Sequence, residues 1–538
     1  MTSTPLTCAC PTGWSSAFAT TRRSGLGLTS RRRRACPMPR QGRTNPMPRR
    51  RRASLMSRRR RANLRLWRRR AAPRSRRRRL LPLLSVPNPP VPEPGRGDKM
   101  PRDAMSRDPT PPRPRRKEHR APPPRRQRDG LIAALDVGTT KIACLIAREE
   151  EDGHLRVLGI GHHRSRGMRG GQVANMDELE LAVRAAVDAA EQMAGERIGA
   201  VVINISGGQP HSTRVEVEMS IAGHEVRASD VRRIQAFGRE QHTAVDRELV
   251  HCIPISYAID GADGVLDPRG MYGQTLGVSI HLVSAAMGPL RNLATVIERC
   301  HLDIEDRVVS PYASGLACLG EDEKTMGVTV IDMGGGITSI AVFNEGHVIH
   351  TATLPVGGQH VTNDIMQGLT TPLVAAERLK TVHGSCLASP SDNRELLRVP
   401  QVGEDDEANV HEVPRSMLIQ IIRPRLEETF ELARAHLDAS GLRKIGGRLV
   451  VLTGGASQLQ GVRDLAEAVL DRPVRQGRPQ RIRGLADSVS GPAFSTCAGL
   501  LRYAVRHQVE TPESDPALEE TAVSGALGRF ARWWKENF

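Results

Sequence analysis

Asp136, Gly138, Thr139, Thr140 and Lys141 bring a carboxylate, a glycine bend, two hydroxyls and an ammonium close together in the chain. Asp332, Gly334, Gly335, Gly336 and Thr338 repeat much of that set in the second half. Consecutive backbone N–H groups at a glycine turn converge on one point, which is how a chain cradles phosphate oxygens. An Asp just before each turn supplies a hard oxygen ligand for the water-rich shell of Mg²⁺. Two such sets facing each other would clamp one nucleotide phosphate chain from opposite sides. The elements that must position them are legible in the flanking residues. Leu131–Ile146 (LIAALDVGTTKIACLI) and Val328–Phe343 (VTVIDMGGGITSIAVF) each read as apolar strand, tight turn, apolar strand. Either turn alone would do no more than close a hairpin; the duplication argues for a shared ligand.

The 538 residues carry a formal net charge of +19, very unevenly spread. Residues 1–128 hold 37 Lys and Arg against 5 Asp and Glu, whereas residues 129–538 hold 41 against 54. The first part is therefore +32 and the remainder −13, so nucleic acid is not an expected partner of the globular part. Residues 1–128 contain Arg runs (Arg31–Arg34, Arg49–Arg52, Arg58–Arg61, Arg76–Arg79) and Pro-rich stretches without apolar periodicity, which predicts disorder. They read either as a basic arm for RNA, DNA or anionic lipid, or as a translated upstream frame with the true start at Met100 or Met105; the second reading is favoured. The nine Cys are scattered, without zinc-ligand or disulfide spacing, as expected in a reducing cytoplasm. No apolar run is long enough to span a bilayer.

From Gly130 strands alternate with helical stretches, the pattern of an α/β protein. Met176–Met193 is an amphipathic helix and Ala200–Ser206 a strand. Residues 212–290 change character and read as a small inserted α+β unit. Helix Leu290–Arg299 and segment Val308–Leu319 return to the first half. The second half is largely helical after its hairpin: Gly358–Leu369, Pro372–His383 and Arg415–Ser440. A buried strand, Arg448–Leu452, runs into Thr453-Gly454-Gly455-Ala456, and Ala493–Arg506 is the closing helix. His242 and His251 have no ligand set around them and read as surface or structural. Two α/β halves with a duplicated hairpin predict two lobes with a nucleotide between them.

The ordered motifs DVGTT, PYASGLA, DMGGGIT and TGGAS resemble those of the actin/Hsp70/sugar-kinase ATPase superfamily. The stretches Asp246–Gly273, Leu354–Ile365 and Ala375–Lys380 are similar more narrowly to the FtsA family of bacterial actin-like cell-division proteins. The resemblance covers roughly residues 129–538. It implies a two-lobed actin-like ATPase fold: a first lobe over 129–211 and 303–325, an FtsA-type insert over 212–302, a second lobe over 326–490 with a helical subdomain at about 358–440, and a closing helix over 491–507. It also implies ATP and Mg²⁺ as cofactors, with Asp136 and Asp332 acting on the metal through water and both glycine turns on phosphate. By the same resemblance Glu377 and Lys380, one helical turn apart, contact the nucleoside, and Gly454, Gly455 and Ala456 let backbone approach it. Ile337 departs from the family, which often has Thr or Cys there.

After an acidic linker (508–524), residues 525–538 form a distinct segment. At helical spacing Leu527, Phe530, Ala531, Trp534 and Phe538 share one face; Arg529, Arg532 and Glu536 lie opposite, with Trp533 and Lys535 at the flanks. Trp beside a short basic amphipathic helix suits the headgroup region of an anionic membrane. Docking on the protein's own core is the alternative, and the acidic linker favours the membrane. The resemblance then implies a peripheral protein on the cytoplasmic face of the inner membrane at the division septum. It would tether the FtsZ filaments of the Z ring through their C-terminal peptide, self-associate, and recruit later divisome proteins. No general base stands out, so ATP turnover is expected to be slow at most and the role mainly that of an adaptor. A PilM-like assembly protein or a sugar-kinase-type enzyme is the alternative; the first leaves the amphipathic tail unexplained, and the second lacks an identifiable substrate base.

Overall fold

The computed structural model describes residues 130–402, 410–442 and 445–510. The basic extension and the amphipathic segment lie outside the described residues, as does nearly all of the acidic linker.

Two five-stranded sheets form the framework, and they share one topology. In the first, the meander Leu131–Val137, Lys141–Glu149 and Leu155–Arg164 is antiparallel; Ala200–Ile205 and Asp303–Val309 add parallel strands beyond Leu131–Val137. In the second, the meander Val328–Met333, Thr338–Asn344 and His347–Leu354 is extended in the same way by Leu449–Thr453 and Val474–Gln476. The hairpin duplication seen in the sequence therefore belongs to a duplicated lobe. Both central strands are apolar runs rather than alternating ones because they are buried on both faces. The two-lobed actin-like architecture with an inserted subdomain is borne out.

Helix Met176–Ala194 covers the first sheet with Leu179, Ala182, Val183, Ala186, Val187 and Ala190. Asn175 starts it by accepting hydrogen bonds from Asp177 and Glu178 N–H, and Gly195, at φ 72°, ends it. The insert is a four-stranded sheet ordered His211–Ser220, Thr275–Ala286, Arg247–Ile259, Ala262–Val265, with helix Ala228–Glu240 against it. Its own core includes Ile221, Ile234, Leu276 and Ile280. Helix Met287–Arg299 instead buries Leu290, Leu293, Val296 and Ile297 in the large core cluster with the first sheet, where the residue pattern put Leu290–Arg299, although the resemblance implied an insert running to 302. Arg483 O accepts from Val157 N–H of the first sheet at 2.8 Å, so the chain already touches the first sheet there, and Ile482 and Val489 are buried in the core cluster shared by the two sheets. The helical subdomain contains helices Gly358–Leu369, Leu373–His383 and Arg415–Ala439, with a two-stranded hairpin, Leu396–Pro400 and Val410–Pro414, among them.

Helices Ser310–Cys318 and Ser495–Glu510 lie against each other beneath the cleft. Every residue of Ser310–Cys318 is buried. The packing is close because its partners are glycines: a Cβ on Gly499 would overlap the carbonyl of Ala313, and one on Gly315 would strike the Phe343 ring. All the core clusters are drawn from residues 131–505.

Candidate functional site

The duplicated hairpins meet at their tips on the wall of a cleft of about 430 Å³. In the first, Gly138 N–H donates to Lys141 O at 3.0 Å. In the second, Gly334 holds the matching place, where a Cβ would sit 2.9 Å from Ile337 O. The tips touch only because one of them lacks side chains. A Cβ on Gly336 would stand 2.5 Å from Thr139 Oγ1, and one on Gly335 would run into Thr140. Thr139 Oγ1 accepts Gly171 N–H at 3.1 Å, which anchors the first tip.

Asp136 and Asp332 line the cleft and are nearly buried, at 7% and 6% exposure. Burial pushes the Asp136 carboxyl up to about 6; the neighbouring Lys141 opposes that rise and Asp332 adds to it. Burial also raises Asp332, opposed by hydrogen bonds from Ser314 and Thr496 and by Lys141. The Lys141 ammonium is pushed down by burial, with Asp136 opposing. Its Nζ donates to Ala493 O and stands 3.4 Å from the centroid of the Phe494 ring. Lys141 thus ties the first hairpin to the segment that leads into the closing helix.

Two hydroxyls fix Asp332. Ser314 Oγ donates to Oδ2 at 2.6 Å and Thr496 Oγ1 at 3.2 Å, and the hydroxyls are 3.0 Å apart. Among the described residues no donor bonds the Asp136 side chain, and no group of three or more His, Cys, Asp or Glu could hold a metal ion. Two carboxylates with an open cleft beside them fit Mg²⁺, which keeps most of its water and takes few protein ligands.

At the far end, Lys380 Nζ bonds Glu377 Oε2 at 2.7 Å, Thr362 Oγ1 at 2.8 Å and Gly358 O at 3.2 Å. The last two partners belong to helix Gly358–Leu369, whose first turn is strapped to the second hairpin by Gly358 N–H to Gly334 O (3.0 Å) and Gln359 N–H to Gly335 O (2.7 Å). Gly454 adopts φ +85°, and a side chain there would collide with the Asp332 carboxylate. Gly455 and Ala456 follow it along the cleft.

Fourteen of the fifteen residues anticipated at the nucleotide site line this one cleft. Thr338 is the exception: it is fully buried, and its hydroxyl has no hydrogen-bond partner among the described residues. Register explains this. Thr338 pairs with Met333, whereas Ser339 pairs with Asp332 and so shares the face of the carboxylate; Ser339 lines the cleft. Sequence reasoning also missed Asn204, Ser206, Ser310 and Thr496. Asn204 Oδ1 accepts Val137 N–H at 2.7 Å, and its Nδ2 donates to Ser206 Oγ and Ser310 Oγ at 3.1 and 3.2 Å, so it braces the first turn. A polar residue inside the apolar strand Ala200–Ile205 was the available signal. His251 is structural, as expected: it is buried, and its Nε2 accepts Val309 N–H at 3.1 Å.

Comparison with known proteins identifies the family. The family "Cell division protein FtsA" matches residues 329–499, and the "SHS2 domain inserted in FTSA" matches residues 207–284. The cell division protein FtsA of Agrobacterium fabrum (strain C58) is 41% identical over 424 residues, covering 77% of this chain and 96% of that protein. FtsA of Escherichia coli (strain K12) is 32% identical over 416 residues, covering 76% and 98%. Among solved structures, the PilM–PilN type IV pilus biogenesis complex is similar with a TM-score of 0.51 at 16% identity, covering 70% of this chain and 98% of that one, a likeness of fold alone. With family matches in both the insert and the second lobe, and relatives aligned over nearly their whole length, the chain belongs to the FtsA family of cell-division proteins.

Proposed function

We propose that this protein binds ATP with Mg²⁺ in the interlobe cleft, self-associates, and tethers FtsZ filaments to the cytoplasmic face of the inner membrane. The observation that carries the reading is the pair of matched hairpins, each with its buried Asp, on one cleft in a chain of this family. Asp136 and Asp332 would hold Mg²⁺ through water, and the cation would neutralise phosphate charge. The turns at Gly138–Lys141 and Gly334–Gly336 offer backbone N–H groups and the Thr139 and Thr140 hydroxyls to phosphate. Glu377, Lys380 and Gly454–Ala456 border the nucleoside end.

The role is that of an adaptor, with ATP turnover slow at most. Among the described residues the only other carboxylate lining the cleft, Glu377, is committed to Lys380, which leaves no free base apart from the two metal-facing aspartates. Membrane attachment falls to residues 525–538, whose apolar stripe gives ~1.5–3 kcal/mol per large side chain if fully buried. Polymerisation would add avidity to that reversible contact. The FtsZ C-terminal peptide and later divisome proteins are its proposed partners.

Co-sedimentation of residues 105–538 with anionic liposomes tests this, with and without ATP and with and without the last 14 residues. ATP-enhanced pelleting that needs the tail is expected. Equal behaviour of the two chain lengths would overturn the tethering, and absence of Mg²⁺-dependent ATP binding would overturn the site.

A further inference from the structure

We infer that the face around the end of the closing helix is a second membrane contact, in which Arg478 and Arg481 engage anionic lipid headgroups. The inference rests on the tethering reading above. Residues 477–482 have no regular secondary structure and pass from the second lobe, where Gly477 N–H donates to Leu452 O at 2.7 Å, to the first, where Gln480 N–H donates to Ala317 O at 2.9 Å. Pro479 and Ile482 point inward and are buried, while Arg478 and Arg481 are exposed. The two exposed arginines are three residues apart, with buried Pro479 and part-buried Gln480 between them.

Their neighbours are otherwise engaged. Arg475 pairs with Glu323 at 2.6 Å, Lys324 with Glu321 at 2.8 Å, and Arg483 with Glu150 and Asp152 at 2.6 and 2.7 Å. Arg478 and Arg481 have no carboxylate partner among the described residues.

Their position is fixed by Gln480 between them. Its Oε1 accepts from Arg502 Nη1 at 2.6 Å, and its amide donates to Leu319 O at 2.7 Å. Arg502 lies on the closing helix, and Glu510, two turns further on, is the last described residue. The chain continues from there to the amphipathic segment at 525, a gap that even fully extended spans no more than ~50 Å. Once that segment is inserted, the helix end is held within this reach of the bilayer, the stretch carrying the two arginines meets the same helix two turns (~12 Å) earlier, and a second contact is intramolecular.

The charge balance calls for such a contact. Residues 129–538 carry −13 overall, a total that includes Glu513, Asp515, Glu519 and Glu520 of the linker. An anionic leaflet repels this body. Two exposed guanidiniums without a carboxylate partner among the described residues would offset that repulsion locally, and guanidinium geometry suits phosphate. The same linker acids are the competing occupant, and the test separates the two.

The experiment is vesicle co-sedimentation of the double variant Arg478→Glu/Arg481→Glu against wild type, in the full chain and in residues 105–538, which retain every core residue. Vesicles are phosphatidylcholine alone or mixed with phosphatidylglycerol. At about 1 kcal/mol per basic residue near an anionic surface, affinity for the mixed vesicles should fall on the order of tenfold or more. Affinity for neutral vesicles should not change, and Arg478→Lys/Arg481→Lys should retain most of the binding. A variant equal to wild type on mixed vesicles, while tail deletion still releases the protein, overturns the second contact and leaves the tether standing. Tighter binding by the variant shows that the arginines hold the acidic linker, and also overturns the inference. A wild type that binds neither vesicle overturns the tethering reading and this inference with it.

Discussion

Replacing Asp136 with Asn should stabilise the nucleotide-free protein while abolishing the site. Asp136 is buried, and its carboxyl is pushed from 3.8 to about 6. The folded chain therefore holds that proton more tightly than the unfolded chain does. Stability from this group is fully present below about pH 4 and is lost as pH rises through about 6. A rise of about two pKa units corresponds to about 3 kcal/mol at pH 8, and to about half of that at pH 5, where the folded group is still mostly protonated. Asn has the same shape and no charge to desolvate. The attraction to Lys141 that it forfeits is already inside the net shift, because that attraction lowers the value. Urea unfolding of wild type and Asp136→Asn at pH 5 and pH 8, without nucleotide, reads both numbers. Mg²⁺-dependent ATP binding, followed by calorimetry on the same samples, should disappear. A variant less stable than wild type at pH 8, or a gain that does not shrink at pH 5, would refute the claim that this carboxylate is held at a cost for the sake of a cation.

Three further outcomes are expected. Ser314→Ala combined with Thr496→Val strips both hydroxyl donors from Asp332; hydrogen bonds to a charged group are worth ~1.5–3 kcal/mol each. Mg²⁺-dependent nucleotide affinity should drop by tenfold or more, and unaltered affinity would show that the hydroxyls do not position the carboxylate. Gly315→Leu forces a side chain into the Phe343 ring, so overpacking should cost ~1–3 kcal/mol, and an unchanged unfolding midpoint would count against the close helix–sheet contact. Trp534→Glu should release the protein from anionic liposomes with ATP binding intact; undiminished pelleting would remove this residue from the anchor.

Local signals were enough for much of the fold and most of the cleft. A strand buried on both faces needs an unbroken apolar run, and a tight turn between two such runs needs glycine. Both hairpins were therefore legible before any tertiary information. Glu377, Lys380 and Gly454–Ala456 were placed at the cleft by the family resemblance; spacing added only that Glu377 and Lys380 share one helix face. The long helices were legible within a few residues of their ends; helix Gly358–Leu369 has the bounds its periodicity predicted.

What the sequence left undecided depends on residues that are distant in the chain. Which of Thr338 and Ser339 reaches the cleft turns on strand register, since neighbours in a strand face opposite ways. Ser314 and Thr496 lie 182 residues apart yet meet on one carboxylate oxygen. That convergence is set by the close contact of two helices, which Gly499 permits, while Gly315 lets the first of them sit against Phe343 of the second sheet. Spacing along a chain determines local geometry, whereas the environment of a buried charge is determined by what packs around it, and only the folded lobes supply that.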